Sequence, residues 1–255
     1  MENALNIGII GGGLLGLSTA DSLVHRGAKV TIFERRKDVG HGAGRYNSGM
    51  IHPSQAAPWF FDDPDMELTR KVFKWARNSR DLLMKRREML GCEDMDRAGG
   101  TVQLFDSESI GKNARDFYWD LGVECQEYKG DWSFGYFGLE FLADQSGDAF
   151  HYCQKLAEDL KRRGCNVQTR SNAEIICQDG RHFIKTDDGP QHFDRIIVTA
   201  GAASTDILRS LQCDLPVSGL RGHALVFGLP DCPLPDQPIM HWASRSALTL
   251  SLIHI

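Results

Sequence analysis

The sequence predicts an α/β fold: a doubly wound parallel sheet, interrupted by a largely antiparallel β segment and then resumed. Three observations predict it. The stretch "IIGGGLLGL", residues 9–17, sets four glycines between an aliphatic strand and a helix. A second aliphatic strand, "FDRIIVTAGAAS", again runs into glycine at Gly201 ahead of a short helix. The middle of the chain carries alternating runs bounded by Gly and Asp, which read as strands.

Composition bounds the rest. A chain of 255 residues, 42% hydrophobic and 25% charged, is large enough for one large domain or two interleaved ones. Its net charge of −5 argues against nucleic-acid binding held by phosphate contacts. The seven cysteines are scattered with no C-x-x-C pair, so neither a disulfide framework nor a zinc or other metal site is expected. Reduced thiols in a cytoplasmic protein are the expectation. The start, "MENALNIGII", lacks a basic residue and its apolar run is broken early, which predicts neither a signal peptide nor a membrane span.

The first unit is "NIGII", a buried-type strand, followed by a helix through "LLGLSTADSLVHRG" and a β-branched strand "AKVTIF" that ends on Glu34. Inside it Gly11, Gly13 and Gly16 form G-x-G-x-x-G, and Glu34 lies 18 residues past the last glycine. Gly11 permits a tight turn, Gly13 lets a pyrophosphate approach the backbone, and Gly16 lets helix and strand pack closely. The phosphates would rest on free N–H groups at the helix N-terminus, and Glu34 would accept hydrogen bonds from a ribose. The acid disfavours NADP, whose 2′-phosphate it would repel, although Arg35 and Arg36 offset this slightly. FAD and NAD both satisfy these residues.

After Glu34 a long Gly-rich polar loop runs to about residue 62, of a length that is usually functional. A helix follows, with Asp63 and Pro64 expected at its start and Leu68, Val72, Trp75, Ala76, Leu82, Leu83 and Leu90 along one face. Met66 to Leu90 carries a local charge of +5, leaving −10 on the remainder. Such a helix suits either an anionic membrane surface or a solvated domain face. Strands are expected in "GGTVQLFD", "GVECQEY" and "GYFGLEFLAD", then an amphipathic helix in "GDAFHYCQKLAEDLKRRG". Strands in "NVQT", "AEIIC" and "RHFIKT" lead to the second glycine junction.

The segments "GGGLLG", "NSGMIHPSQAAPW", "GGTVQLF", "DQSGD" and "VTAGAAS", in this order, resemble the D-amino-acid oxidase-like flavoproteins, most closely the bacterial D-amino-acid dehydrogenases. The resemblance runs from about Asn6 to Leu229. It implies FAD in a discontinuous doubly wound domain (residues 1–60 and 146–212) and a largely antiparallel substrate domain (61–145 and 213–249). It places the pyrophosphate at Gly11, Gly13, Leu14 and Gly16, and the adenosine ribose at Glu34 with Arg35. Asn47, Ser48, Gly49 and Met50 match the loop beside the flavin ring. Ala173 matches a strand residue whose backbone meets the adenine, and Ala200 with Gly201 the second junction over the phosphates. Two positions depart from the family: Gly44 replaces a hydroxyl residue that can bond a phosphate, and His52 stands where the dehydrogenases often have serine.

The implied reaction is hydride transfer from the α-carbon of a D-amino acid to flavin, giving an imino acid that water converts to a 2-oxo acid and ammonia. Electrons would pass to an acceptor other than oxygen, such as a membrane quinone; a glycine or sarcosine oxidase making hydrogen peroxide is the alternative. Arg221 is a candidate carboxylate clamp, and no catalytic residue is assigned. Relatives continue beyond this length, so the chain is expected to be the N-terminal part of a longer protein. Its last six residues, "LSLIHI", are also what the transposon-end adaptor CTGTCTCTTATACACATC encodes, so 250–255 are expected to be a non-native tail. A fragment of this kind would be an inactive dinucleotide-binding piece with exposed apolar surface and an open sheet edge.

Overall fold

In chain order the elements are β1 (Asn6–Ile10), α1 (Leu14–His25), β2 (Lys29–Glu34), β3 (Met50–Ile51), α2 (Met66–Leu90), β4 (Arg97–Ala98), β5 (Thr101–Phe105), α3 (Glu108–Asp120), β6 (Gln126–Tyr128), β7 (Phe137–Phe141) and β8 (Gln145–Ser146). They continue as α4 (Ala149–Arg162), β9 (Asn166–Thr169), β10 (Glu174–Gln178), β11 (Arg181–Thr186), β12 (Gly189–His192), β13 (Arg195–Val198), α5 (Ser204–Arg209), β14 (Ile239–His241) and β15 (Ser246–Leu248). This computed structural model describes residues 4–55, 65–92, 97–209, 211–219, 222–225, 235 and 237–249. The chain divides into two units, Met1–Asn47 with Ala149–Val226, and Ser48–Asp148 with Phe227–Ile255.

The first unit is built on a parallel sheet in the order β13-β1-β2-β9. β1 sits at its centre, with Gly8 opposite both Ile196 and Thr31. Both faces of a parallel strand are covered, which is why Ile7, Ile9 and Ile10 are all buried. α1 contributes Leu17 and Ala20 to this interior, and α4 contributes Cys153, Leu156 and Leu160. A separate antiparallel sheet, β10-β11-β12, closes a cluster of Ile10, Phe33, Ala173, Ile175, Ile184 and Phe193.

The second unit is a five-stranded sheet in the order β15-β14-β5-β7-β6, antiparallel except for the β14–β5 pair. Every residue of β5 is buried. One cluster on it joins Phe105, Leu139 and Phe141 to Ala114 and Tyr118 of α3 and Phe73 of α2. A small sheet, β3-β8-β4, completes the unit.

Several expectations are corrected. The middle section contains a helix, α3, begun by Ser107, whose side chain accepts from the Ile110 amide. The strand expected across "GVECQEY" is only β6. β13 stops at Val198, and Gly201 instead opens a short 3-10 turn. The cap of α2 is Asp65, which accepts from Leu68 N at 3.0 Å; Asp63 and Pro64 lie outside the described residues. The inward face of α2 carries Thr69, Phe73 and Arg87, whereas Leu68, Trp75 and Leu82 are exposed. Among the described residues no helix is long and apolar enough to cross a membrane.

Candidate dinucleotide site

Parallel pairing of β1, β2 and β9 sets their carboxyl ends along one edge, and the loops that leave that edge make the site. The turn after β1 starts with Gly11 at φ +113°, a conformation open to glycine. A Cβ on Gly11 would lie 2.5 Å from Thr199 O and 3.0 Å from Ala200 N, so the two glycine junctions meet here. Thr199 fastens them, donating through Oγ1 to Gly11 O at 3.0 Å and through its amide to Ile10 O at 2.8 Å. A Cβ on Gly16 would lie 1.9 Å from Gly11 O, so glycine is what lets α1 begin against the strand end. Gly13 faces open space, and α1 begins there with no capping side chain and no acid in its first turn. Leu14, its first residue, is exposed.

Glu34 closes the far side. Its Oε2 accepts from Gly12 N at 2.9 Å and its Oε1 from Arg36 N at 2.8 Å. Two backbone donors therefore fix the carboxylate, with lone pairs left for a sugar hydroxyl. Gly12 escaped the sequence reading, and its task is steric: a Cβ would meet Glu34 Cβ and Val39 Cγ1 at 3.0 Å. Arg35 is exposed beyond the strand end.

The loop after β2 returns to the turn through Gly40 N, which donates to Gly12 O at 2.8 Å. Gly42 and Gly44 face open space. Asn47 ends the first unit and Ser48 begins the second, so the expected Asn47–Met50 group is divided between them. Gly49, at φ +68°, offers its carbonyl to Gly147 N at 2.8 Å, and a Cβ there would lie 2.6 Å from Gly147 O. Met50 then pairs with Ser146.

Behind this loop Asp144 is 1% exposed. Its Oδ1 accepts from Ser54 N at 3.1 Å and its Oδ2 from Thr101 Oγ1 at 2.8 Å. Burial pushes its carboxyl above the ordinary aspartate range, while the hydrogen bonds from Ser54 and Thr101 pull the other way. His52 Nδ1 is buried with no hydrogen-bond partner among the described residues. Burial holds the thiols of Cys125 and Cys165 up at about 11, which makes both poor nucleophiles at neutral pH.

Ala173 lies one residue before β10, not within a strand, and its side chain is in the core. Ala200 precedes the 3-10 turn and Gly201 opens it at φ +60°. Arg221 and residues 250–255 lie outside the described residues.

The absence of any atom where a Cβ on Gly13 would stand, the uncapped start of α1 and the fixed Glu34 carboxylate fit a dinucleotide with its pyrophosphate at the turn. A parallel sheet with this turn defines a nucleotide-binding α/β protein. Residues 6–249 match the family model described as DAO, FAD dependent oxidoreductase, and the chain belongs to that family, whose cofactor is FAD. Glycine oxidase from Geobacillus kaustophilus is similar over 94% of this chain and 66% of its own, at TM-score 0.75 and 17% identity. L-amino acid deaminase from Proteus vulgaris is similar over 85% of this chain and 52% of its own, at TM-score 0.68 and 19% identity. L-proline dehydrogenase from P. horikoshii matches over 82% of this chain and 56% of its own, at TM-score 0.65 and 19% identity. The chain thus spans about half to two thirds of the length of these proteins.

Proposed function

We propose that the protein is part of an FAD-dependent enzyme that oxidises the α-carbon of a D-amino acid to an imino acid, which water hydrolyses to a 2-oxo acid and ammonia. The observation that carries the flavin site is the paired glycine junction beside a carboxylate held by two amides. The family match and the ordered "NSGMIHPSQAAPW" segment support the substrate class. When bound, FAD supplies the hydride acceptor. The chain's own residues would do the holding: Gly11 to Gly16 would seat the phosphates and Glu34 the ribose, while Asn47, Ser48, Gly49 and Met50 resemble the loop that runs beside the flavin ring in the family.

The electron acceptor is one other than oxygen, such as a membrane quinone. The basic balance of α2 and its exposed Trp75 and Leu82 support peripheral contact with an anionic membrane surface, which vesicle co-sedimentation tests. A second reading, a glycine or sarcosine-type oxidase producing hydrogen peroxide, is favoured by the similarity to glycine oxidase. Anaerobic addition of D-amino acids, then L-forms, to the flavin-loaded protein separates these. Bleaching at the flavin band by D-forms alone supports the first reading. Bleaching by glycine or sarcosine with stoichiometric peroxide in air replaces it with the second.

A further inference from the structure

Gly44 borders open space and offers no side chain of its own, and a cation follows it in the chain. Arg45 follows it in the short 3-10 turn Ala43–Arg45. Its guanidinium carbon lies 4.5 Å from the centroid of the Phe150 ring and 5.8 Å from that of Tyr46. His41 meets the same Phe150 ring edge-on at 5.1 Å, and its Nε2 lies 3.4 Å from Arg45 Nη1 and 3.4 Å from Asp38 Oδ2.

These contacts have a chemical consequence. A guanidinium held over an aromatic ring draws on the ring's electron-rich face and gains no conventional acceptor from it, so its N–H donors still call for one. His41 takes at most one of those donors, and among the described residues no carboxylate pairs with Arg45. A half-buried, stacked cation without an acid partner is short of an anion.

Its place in the fold says which anion. Gly40, four residues after Arg36 in the same loop, is bonded to Gly12 of the glycine turn. A Cβ on Gly40 would lie 2.8 Å from Cys153 Cβ, and Gln154 Nε2 donates to Val39 O at 2.8 Å, so the loop is wedged between that turn and the first turns of α4. Gly42, Gly44 and Gly13 all border open space. The turn itself offers a phosphate only backbone dipoles.

We infer that Arg45, seated on Phe150 and steadied by His41, is a ligand of the cofactor's pyrophosphate. This rests on the reading that the pyrophosphate lies at the Gly11–Gly16 turn. Arg45 is then a binding residue that discriminates phosphorylated adenosine from adenosine, which a purely structural arginine would not do.

The test is calorimetric titration of the flavin-stripped protein with ADP, adenosine and FAD. ADP and FAD should bind the Arg45→Met protein about tenfold to a hundredfold more weakly than the unsubstituted one, the range for losing a charge-assisted fork. Adenosine should bind both equally, and Arg45→Lys should recover part of the loss. Unchanged ADP affinity in Arg45→Met overturns the inference, as does an equal loss for adenosine. If the unsubstituted protein prefers adenosine to ADP, the pyrophosphate reading itself falls, and Arg45 with it. Should Arg45→Met fail to fold, Phe150→Leu removes the platform and keeps the charge; it is expected to weaken ADP several-fold and leave adenosine unchanged, and no change there also overturns the inference.

Discussion

Gly13 and Gly16 belong to one motif but answer to different forces. A methyl group on Gly16 would sit 1.9 Å from a backbone oxygen and 2.8 Å from Thr199 Oγ1, neither of which can retreat without breaking the joint between β1 and β13. Gly16→Ala is therefore expected to destabilise the fold by about 3 kcal/mol, the upper end of overpacking, in urea unfolding. Gly13→Ala meets nothing, so the same experiment should show little change while FAD affinity falls at least about tenfold, because the methyl fills the space a phosphate needs. Asp144 gives a residue-scale prediction in pH. Below the ordinary value of 3.8 both folded and unfolded chains hold its proton, and burial exacts nothing. As pH rises above 3.8 the unfolded chain releases the proton first, so stability attributable to this group declines until the raised folded-state value is passed. Asp144→Asn removes that decline. Urea midpoints of the two proteins between about pH 3.5 and 7 should diverge in favour of the variant as pH rises; parallel curves would contradict the assignment.

The helices show which elements are legible in a sequence and which are not. α1 and α4 follow from periodicity because each has one core to face, and Leu17, Ala20, Leu156 and Leu160 all point into it. α2 misleads because it has apolar residues on two sides. Phe73 is 6% exposed and Trp75 is 63% exposed, though both are large aromatic residues two positions apart. Arg87, which its charge would send outward, is in helical phase with Thr69 and is 4% exposed, against Gly147. α3 was hidden for a related reason: its inward residues are Gly111, Ala114 and Tyr118, small or polar types that do not register as a hydrophobic stripe. Its legible signal was Ser107 followed by Glu108, a cap and a first-turn acid. The split within α2 is measurable. Phe73→Ala should cost about 3–5 kcal/mol of folding free energy. Trp75→Gln should leave the unfolding midpoint nearly unchanged and raise solubility, since it removes exposed apolar surface and no packing. A large loss of stability on Trp75→Gln would mean that the side chain is covered after all.

At the scale of the whole chain, the two units have separate cores, and the residues proposed for the cofactor are dealt unequally between them in the sequence. Gly11 to Gly16, Glu34, Ala200 and Gly201 belong to the first unit; Ser48, Gly49 and Met50 belong to the second. That division was partly readable, since the acidic strand end and the two glycine junctions are local patterns. The clamp on Gly49 was not, because it depends on Gly147, nearly one hundred residues away in the chain. Ligands that carry only half of the cofactor should separate the units by hydrogen exchange. ADP at about one hundred times its dissociation constant stabilises whatever it binds by about 2.7 kcal/mol. The slowest amides of β1, β2 and β13 should then exchange roughly a hundredfold more slowly, while those of β5 and β7 keep their rates. FAD should add protection at Ser48 to Ile51, the part that ADP lacks a group to reach. If ADP slows β5 and β7 as much as β1, the chain opens as one cooperative body and the flavin loop contributes nothing separable. If FAD protects no more than ADP does, the Ser48–Met50 loop is not where the flavin ring lies.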